Sequence, residues 1–347
     1  MFFTTYLLIR FIYWINYIFR QLSNLLIGTV LEHKFDLALV TGGGSGLGKE
    51  FVLQLVSRKV RVVVLDITIP QETERVVGVT YFKCDVSNRE HVLEVQKQVQ
   101  LSIGIVTILI NNAAIATGKP LLDLSFQEIE KTIQTNLMSS FYTIKAYLPS
   151  MILIERGYIV TIASVLGYMS PARLSAYGAS KSGLIALHES LTYELGSPTF
   201  SSNGIKTLLV CPGQISTTMF KGVRTPTQIF APELDPKFVA SYVILAILQG
   251  RRGEIKLPFY GKFLPLFRAF PWPIVALARK LSGIDKSMAN FKAKVSRVAS
   301  SVSSMISRSR NGSSENSPML LRGSLIASPQ ASISLNVEEE NNVEMSA

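Results

Sequence analysis

Leu37-Ala38-Leu39-Val40-Thr41-Gly42-Gly43-Gly44-Ser45-Gly46-Leu47-Gly48 joins a short apolar run to a glycine-rich turn. The run is too short for a helix and is bounded by turn residues, so it reads as a buried strand. The turn opens onto a helical window, Lys49–Ser57. A strand that feeds a helix through glycines presents backbone N–H groups and the positive end of the helix dipole, which together suit a phosphate. Gly42, Gly46 and Gly48 lack the Cβ that would block close approach or helix–sheet packing. Thr41, Gly42, Ser45, Gly46, Leu47 and Gly48 are therefore the candidate cofactor-binding residues of this turn.

Outward from the turn, apolar runs recur at Val60 to Leu65, Thr80-Tyr81-Phe82, Ile105 to Ile110, Tyr158 to Ile162 and Ile205 to Val210. Helical windows lie between them at Arg89–Gln100, Ser125–Leu148 and Ser175–Leu195. Short, largely apolar strands alternating with helices predict an α/β fold: a parallel sheet with right-handed crossovers and helices on both faces. No repeat of fixed period occurs, which excludes solenoids and propellers.

Asp66 closes the second strand, in Val62-Val63-Val64-Leu65-Asp66. An acid there accepts hydrogen bonds from the adenosine ribose hydroxyls and repels a 2′-phosphate. No Arg or Lys follows directly, so NAD(H) is favoured, while Arg58, Lys59 and Arg61 keep NADP(H) open.

Tyr177-Gly178-Ala179-Ser180-Lys181 sets a tyrosine and a lysine on one helix face. An ammonium beside a phenol favours the phenolate and is expected to lower the tyrosine pKa. Such a group can exchange a proton with an alcohol or carbonyl oxygen. The pattern alone is common on helices. It gains force from Ser164, just beyond the strand Tyr158 to Ile162, on the edge of the sheet where ligands bind.

With these residues in place the chain resembles the short-chain dehydrogenase/reductase family. The matches are Thr41–Gly48, Asp66, Cys84-Asp85-Val86, Asn111-Asn112-Ala113-Ala114, Asn136, Ser164, Tyr177, Lys181 and Pro212-Gly213, in order over about residues 36–250. The resemblance implies a Rossmann-type doubly wound sheet and a Ser-Tyr-Lys-Asn tetrad. Tyr177 would be the proton donor and acceptor, and Lys181 would lower its pKa and hold the nicotinamide ribose. Ser164 would orient the substrate oxygen, and Asn136 would help hold a proton-relay water. Asp85, with Val86, would face the adenine. Asn112 would line the cofactor cleft, and Ile215 and Thr217 would touch the nicotinamide end. Ala114 departs from the glycine often found there, and its methyl is tolerable where φ is negative. Homodimerisation would follow by analogy, through the helices that carry Asn136 and Tyr177. A narrower resemblance, through the apolar N-terminus, His188-Glu189-Ser190-Leu191 and Gly283-Ile284-Asp285-Lys286-Ser287-Met288, is to the membrane-associated branch with retinol and hydroxysteroid dehydrogenases and their fungal relatives. His188 itself reads as a helix residue with no catalytic duty.

The 347 residues are 48% hydrophobic and 17% charged, with a formal charge of +11. No zinc-ligand spacing and no compact nucleic-acid module accompanies that charge, so a metal site and a nucleic-acid partner are not expected. Cys84 and Cys211 are the only cysteines and read as buried thiols of a protein facing the cytosol. Residues before Glu32 contain no acid and are rich in aromatic and aliphatic groups. Arg10 argues against a transmembrane helix. Arg10, Asn16, Arg20, Gln21, Ser23 and Asn24 share one arc and Leu7, Phe11, Trp14, Ile15, Ile18, Leu22 and Leu25 the other, as in a helix lying in a membrane interface. Within 255–284, aromatics alternate with Lys256, Lys262, Arg268, Arg279 and Lys280, and prolines interrupt any single helix. This segment reads either as a cap on the substrate pocket that rests on lipid or as an ordinary subdomain.

The expected organisation is a membrane anchor at 1–35, a catalytic domain at 36–254, a basic-aromatic segment at 255–286 and a disordered tail at 287–347. Met219, Phe220, Ile229 and Phe230 follow Pro212-Gly213, where a substrate lid is expected. An apolar lid beside a membrane anchor suggests a retinoid, sterol or long-chain lipid substrate. The expected site is an endoplasmic reticulum or lipid-droplet membrane, with a mitochondrial membrane as the other option, and a cytosolic catalytic domain. The competing reading is a non-catalytic membrane scaffold, against which the intact tetrad argues.

Overall fold

A computed structural model describes residues 35–196, 204–220, 223 and 232–286, together with Phe11, Trp14 and Ile15. The strands are β1 (Leu37–Thr41), β2 (Arg61–Asp66), β3 (Val79–Lys83), β4 (Ile108–Asn111), β5 (Gly157–Ile162), β6 (Ile205–Pro212) and β7 (Gly253–Leu257). They form one sheet in the order β3-β2-β1-β4-β5-β6-β7, with every neighbouring pair parallel. The order reverses between β1 and β4, and a crevice opens there at the carboxyl ends of the strands.

The largely apolar character of the central strands is explained by burial on both faces. In β1, Ala38 and Val40 point into a layer with Phe51 and Leu55 of helix α1 (Gly46–Ser57) and Val243 and Ile247 of α6 (Pro236–Leu248). Leu37 and Leu39 point the other way. They pack with Val92 and Val99 of α2 (Arg89–Ser102), Ile144 and Met151 of α4 (Ser139–Leu153) and Leu191 of α5 (Ser175–Glu194). Helix α3 (Phe126–Ile133) starts at a capping box in which Ser125 and Glu128 satisfy each other's backbone N–H groups. Between α3 and α4 the backbone widens into a π-helical turn, Gln134–Met138.

The sheet extends beyond the expected catalytic domain. The expected border at 254/255 falls inside β7, whose Ile255 is fully packed in the core. Gly253-Glu254-Ile255-Lys256-Leu257 alternates charge with apolar groups, as an edge strand does, and so lacks the apolar run that marks its neighbours. After β7 come short 3₁₀ turns and α7 (Trp272–Ser282).

Cys84 and Cys211 are free and buried, and β2, β1, β4 and β5 separate the strands beside which they lie. Burial pushes the Cys84 thiol up to about 12. In the N-terminal segment Phe11, Trp14 and Ile15 are helical and exposed, and the Phe11 and Trp14 rings stack at 6.2 Å. The rest of the expected amphipathic arc, and the tail, lie outside the described residues. Among the described residues no helix is long and apolar enough to cross a membrane.

Candidate active site

A cleft of about 820 Å³ runs along the carboxyl edge of the sheet. Ser45, Gly46 and Leu47, at the N-terminus of α1, line one end with Gly42. Gly42 and Gly46 have φ of +65° and +52°, which glycine adopts without strain. A Cβ on Gly48 would lie 2.0 Å from the Gly42 carbonyl oxygen and 2.7 Å from Asn112 Nδ2, so helix and strand can approach only because glycine stands there. Gly48 and Thr41 do not reach the cleft wall and act behind it. The Thr41 hydroxyl accepts the N–H groups of Asn112 (2.9 Å) and Ala113 (3.0 Å). Asn112 donates its amide to the Thr41 and Gly42 carbonyls, which locks the turn.

Asp66 lines the cleft next to this turn. Its two oxygens accept the Gly44 N–H at 2.9 Å and the Thr68 N–H at 3.1 Å. Arg61 starts the strand that Asp66 ends, and it donates to the Ile103 carbonyl at 3.2 Å. Arg58 donates to Gln54. These cations therefore sit away from the cleft. Asp85 and Val86 line the next stretch. The Asp85 carboxylate is held by Ser87 and by Lys131 at 2.8 Å. Partial burial would raise its pKa, but the bonds from Lys131 and Ser87 outweigh that and hold it below the usual range. Lys131 also lines the cleft and was not anticipated, because only the fold brings α3 to the end of β3. The glycine cradle, the helix terminus and the strand-end acid fit a dinucleotide.

The other half of the cleft carries Ser164, Tyr177 and Lys181, with Ile215 and Thr217. Ser164 donates to the Pro212 carbonyl at 3.3 Å and accepts the Leu166 N–H at 3.1 Å, which fixes its hydroxyl. Lys181 donates to the Ile162 carbonyl at 2.8 Å and stands 5.7 Å from the centre of the Tyr177 ring. Contrary to the sequence expectation, the tyrosine is not lowered. Burial pushes the Tyr177 phenol up to about 12, with the Ser164 hydroxyl pulling the other way, and burial brings the Lys181 ammonium down to about 8. Desolvation of both groups outweighs their proximity.

Asn136 stands on the π-helical turn between α3 and α4. It is fully buried and does not line the cleft. Its side chain accepts the Ile115 N–H at 2.7 Å and donates to the Ile115 carbonyl and to the Ser180 hydroxyl. These bonds fasten the loop after β4 to α5. The π-turn that carries it has no periodic signature, and such turns often mark functional sites. At Ala114 the backbone is not left-handed, since the positive-φ non-glycine residues among the described ones are Lys59, Glu155 and Arg173. His188 sits in the core, with its Nδ1 3.0 Å from the Thr161 hydroxyl.

Apolar groups close the cleft. Phe220 meets the Tyr177 ring edge-on at 5.6 Å, and Met219 lies beside it. Ile229 and Phe230 lie outside the described residues. Tyr260, Phe263, Leu264, Phe267 and Ile284 complete the wall from the far end of the chain. Sequence patterning left this segment open between a cap and an ordinary subdomain and named no residues that face inward.

The family model described as short chain dehydrogenase matches residues 36–228. An uncharacterized oxidoreductase of Saccharomyces cerevisiae is 37% identical over 254 residues, covering 72% of this chain and 82% of the relative. Retinol dehydrogenase 10 of Rattus norvegicus is 34% identical over 295 residues, covering 75% and 85%. Among solved structures, a short-chain dehydrogenase from Streptomyces avermitilis superposes with a TM-score of 0.58 at 23% identity, covering 72% of this chain and 96% of its own. A 4-hydroxyisoleucine dehydrogenase complexed with NADH does so with 0.57 at 24% identity, covering 64% and 97%. At these identities the two structures attest the fold alone.

Proposed function

The chain belongs to the short-chain dehydrogenase family and is an NAD(P)-dependent oxidoreductase acting on CH–OH donors; from that premise we propose that it interconverts a lipophilic alcohol and its carbonyl with NAD(H), using Tyr177 as the general acid/base. The observation that carries this reading is the meeting of Ser164, Tyr177 and Lys181 in one cleft with the Gly42–Leu47 turn and Asp66. The nicotinamide supplies the hydride acceptor or donor. As the phenolate, Tyr177 takes the hydroxyl proton from the alcohol in one direction, and as the phenol it gives one to the carbonyl oxygen in the other. Ser164, fixed by the Pro212 carbonyl and the Leu166 N–H, orients that oxygen. Lys181, tied to β5, presents a mostly protonated amine beside the phenol near neutral pH.

Asp66 at the end of β2, with Arg58 and Arg61 bonded elsewhere, supports NAD(H) over NADP(H). The apolar wall from Met219, Phe220, Phe263 and Phe267 supports a retinoid, sterol or long-chain lipid substrate, as does the relative named for retinol. A membrane surface is the natural source of such a substrate. The exposed Phe11, Trp14, Phe259, Trp272 and Leu281 support attachment to one. Purified protein assayed with NAD and NADP against retinol, a hydroxysteroid, long-chain alcohols and short alcohols tests the reading. NAD-linked turnover of the lipophilic members is expected, and turnover confined to short polar alcohols would overturn the substrate class.

A further inference from the structure

The loop from Ser164 to α5 is gripped from outside. Ser164 caps the 3₁₀ turn Val165–Gly167, and the chain then passes Ser170 and Ala172 before Tyr177 enters the first turns of α5. Four backbone groups of this loop are bonded by side chains about a hundred residues away in sequence. Arg268 donates to the carbonyls of Gly167 and Tyr168, both at 2.9 Å. Arg279 donates to the Ser170 carbonyl at 3.0 Å, and Asp285 accepts the Ala172 N–H at 2.9 Å.

Arg279 and Asp285 also pair with each other, through Nε to Oδ2 at 3.1 Å and through a second, shorter contact to Oδ1. They can do so because α7 ends at Gly283 in the left-handed conformation, φ 63°, which turns the chain back on itself. The inner face of the same segment, with Phe267, Ala278 and Ile284, forms one wall of the cleft, and Leu166, Met169 and Leu174 of the gripped loop form the facing wall.

A partly exposed ion pair contributes roughly 0–1 kcal/mol on its own. This one differs in where its remaining donors and acceptors go: each partner also holds a backbone group of the loop between two active-site side chains. We propose that Arg279 and Asp285 are positioning residues, a clamp that sets the apolar C-terminal wall against the Ser164–Tyr177 loop and thereby fixes the fit of long apolar substrates. The selectivity part of this inference rests on the function proposed above, whereas the clamp itself does not.

The test uses the full chain carrying Arg279→Gln, Asp285→Ala or the conservative Arg279→Lys. Losing a charge-assisted hydrogen bond corresponds to about a tenfold change or more, and it is expected as a rise in KM for a long-chain alcohol. NADH affinity and kcat/KM for a short alcohol are expected to be little changed, with Arg279→Lys intermediate. Hydrogen exchange gives a readout free of activity: residues 165–174 and 264–286 should speed up together in the first two variants while the rest of the chain does not. Exchange at 165–174 that is unaltered, or NADH affinity that falls in step with the rise in KM, overturns the clamp. Absence of turnover in the unaltered protein overturns the functional reading, and the exchange measurement then still decides the clamp.

Discussion

Lys181 donates its ammonium to the carbonyl of Ile162, 2.8 Å away, and so fastens α5 to the strand that leads into Ser164. The bond orders the site in a way the Tyr-x-x-x-Lys spacing does not state. It aims the lysine at the sheet and leaves the Tyr177 hydroxyl to the cleft. Burial then brings the lysine down to about 8 and the phenol up to about 12. The phenol is thereby held neutral in the free protein, whereas a value of about 8 leaves the lysine mostly protonated near neutral pH, a positive charge beside the phenol.

Gly48→Ala puts a methyl group 2.0 Å from a backbone oxygen that cannot move without opening the turn. We expect NADH titration to show binding weakened by at least ~10-fold, about 1.4 kcal/mol. Gly78→Ala is the control. It has a left-handed φ of +80°, which Gly48 lacks, and nothing within 4 Å, so it should cost about 1–2 kcal/mol of stability and leave NADH affinity intact. Equal effects of the two changes would show that the turn does not hold the cofactor.

Asp66→Ala removes the acceptor of the Gly44 and Thr68 N–H groups and the charge at the strand end. NAD affinity should fall and the ratio of NADP to NAD affinity should rise. An unchanged ratio, or a native preference for NADP in titration, would refute the reading of Asp66.

His188 makes stability acid-sensitive. Burial lowers its pKa from 6.5 to about 4, so below pH 6.5 the unfolded chain binds a proton that the folded chain does not. Stability is therefore full above pH 6.5 and declines as pH falls toward 4, by about 3 kcal/mol for a shift of this size. Denaturant unfolding at pH 7 and pH 4.5, on the natural chain and on His188→Gln, measures the difference. The variant should lose less on acidification, and parallel losses would show that His188 does not contribute.

Much of this arrangement is legible before folding. The strand cores announce themselves because residues such as Leu39 and Val40 are buried on opposite sheet faces and leave few polar interruptions. β7 does not, since Glu254 and Lys256 alternate with its apolar residues at the sheet edge. Tyr177 and Lys181 are visible from spacing, but the direction of their pKa shifts depends on burial, which spacing does not encode. Asn136 is visible by resemblance, whereas its bonds to Ile115 and Ser180 depend on the π-turn. Lys131, Arg268 and Arg279 reach the site only through long-range packing, for which no local pattern exists.

Attachment to a membrane is expected to resist salt and yield to detergent. Salt at 1 M shortens the Debye length to roughly 3 Å and releases purely electrostatic contacts, whereas buried aromatic groups hold. Deleting residues 1–31 should loosen attachment, and removing the exposed apolar side chains of Phe259, Trp272 and Leu281 as well should loosen it further. Full recovery of the natural chain in the soluble fraction without detergent would contradict the membrane proposal.

The central claim is that the Tyr177 hydroxyl moves the proton. Tyr177→Phe keeps the ring against Phe220 and removes only that group. Turnover of a lipophilic alcohol with NAD, followed by NADH absorbance, should fall about 10²–10⁴-fold or more, with NADH affinity by titration unchanged. Turnover near that of the natural chain would contradict the account.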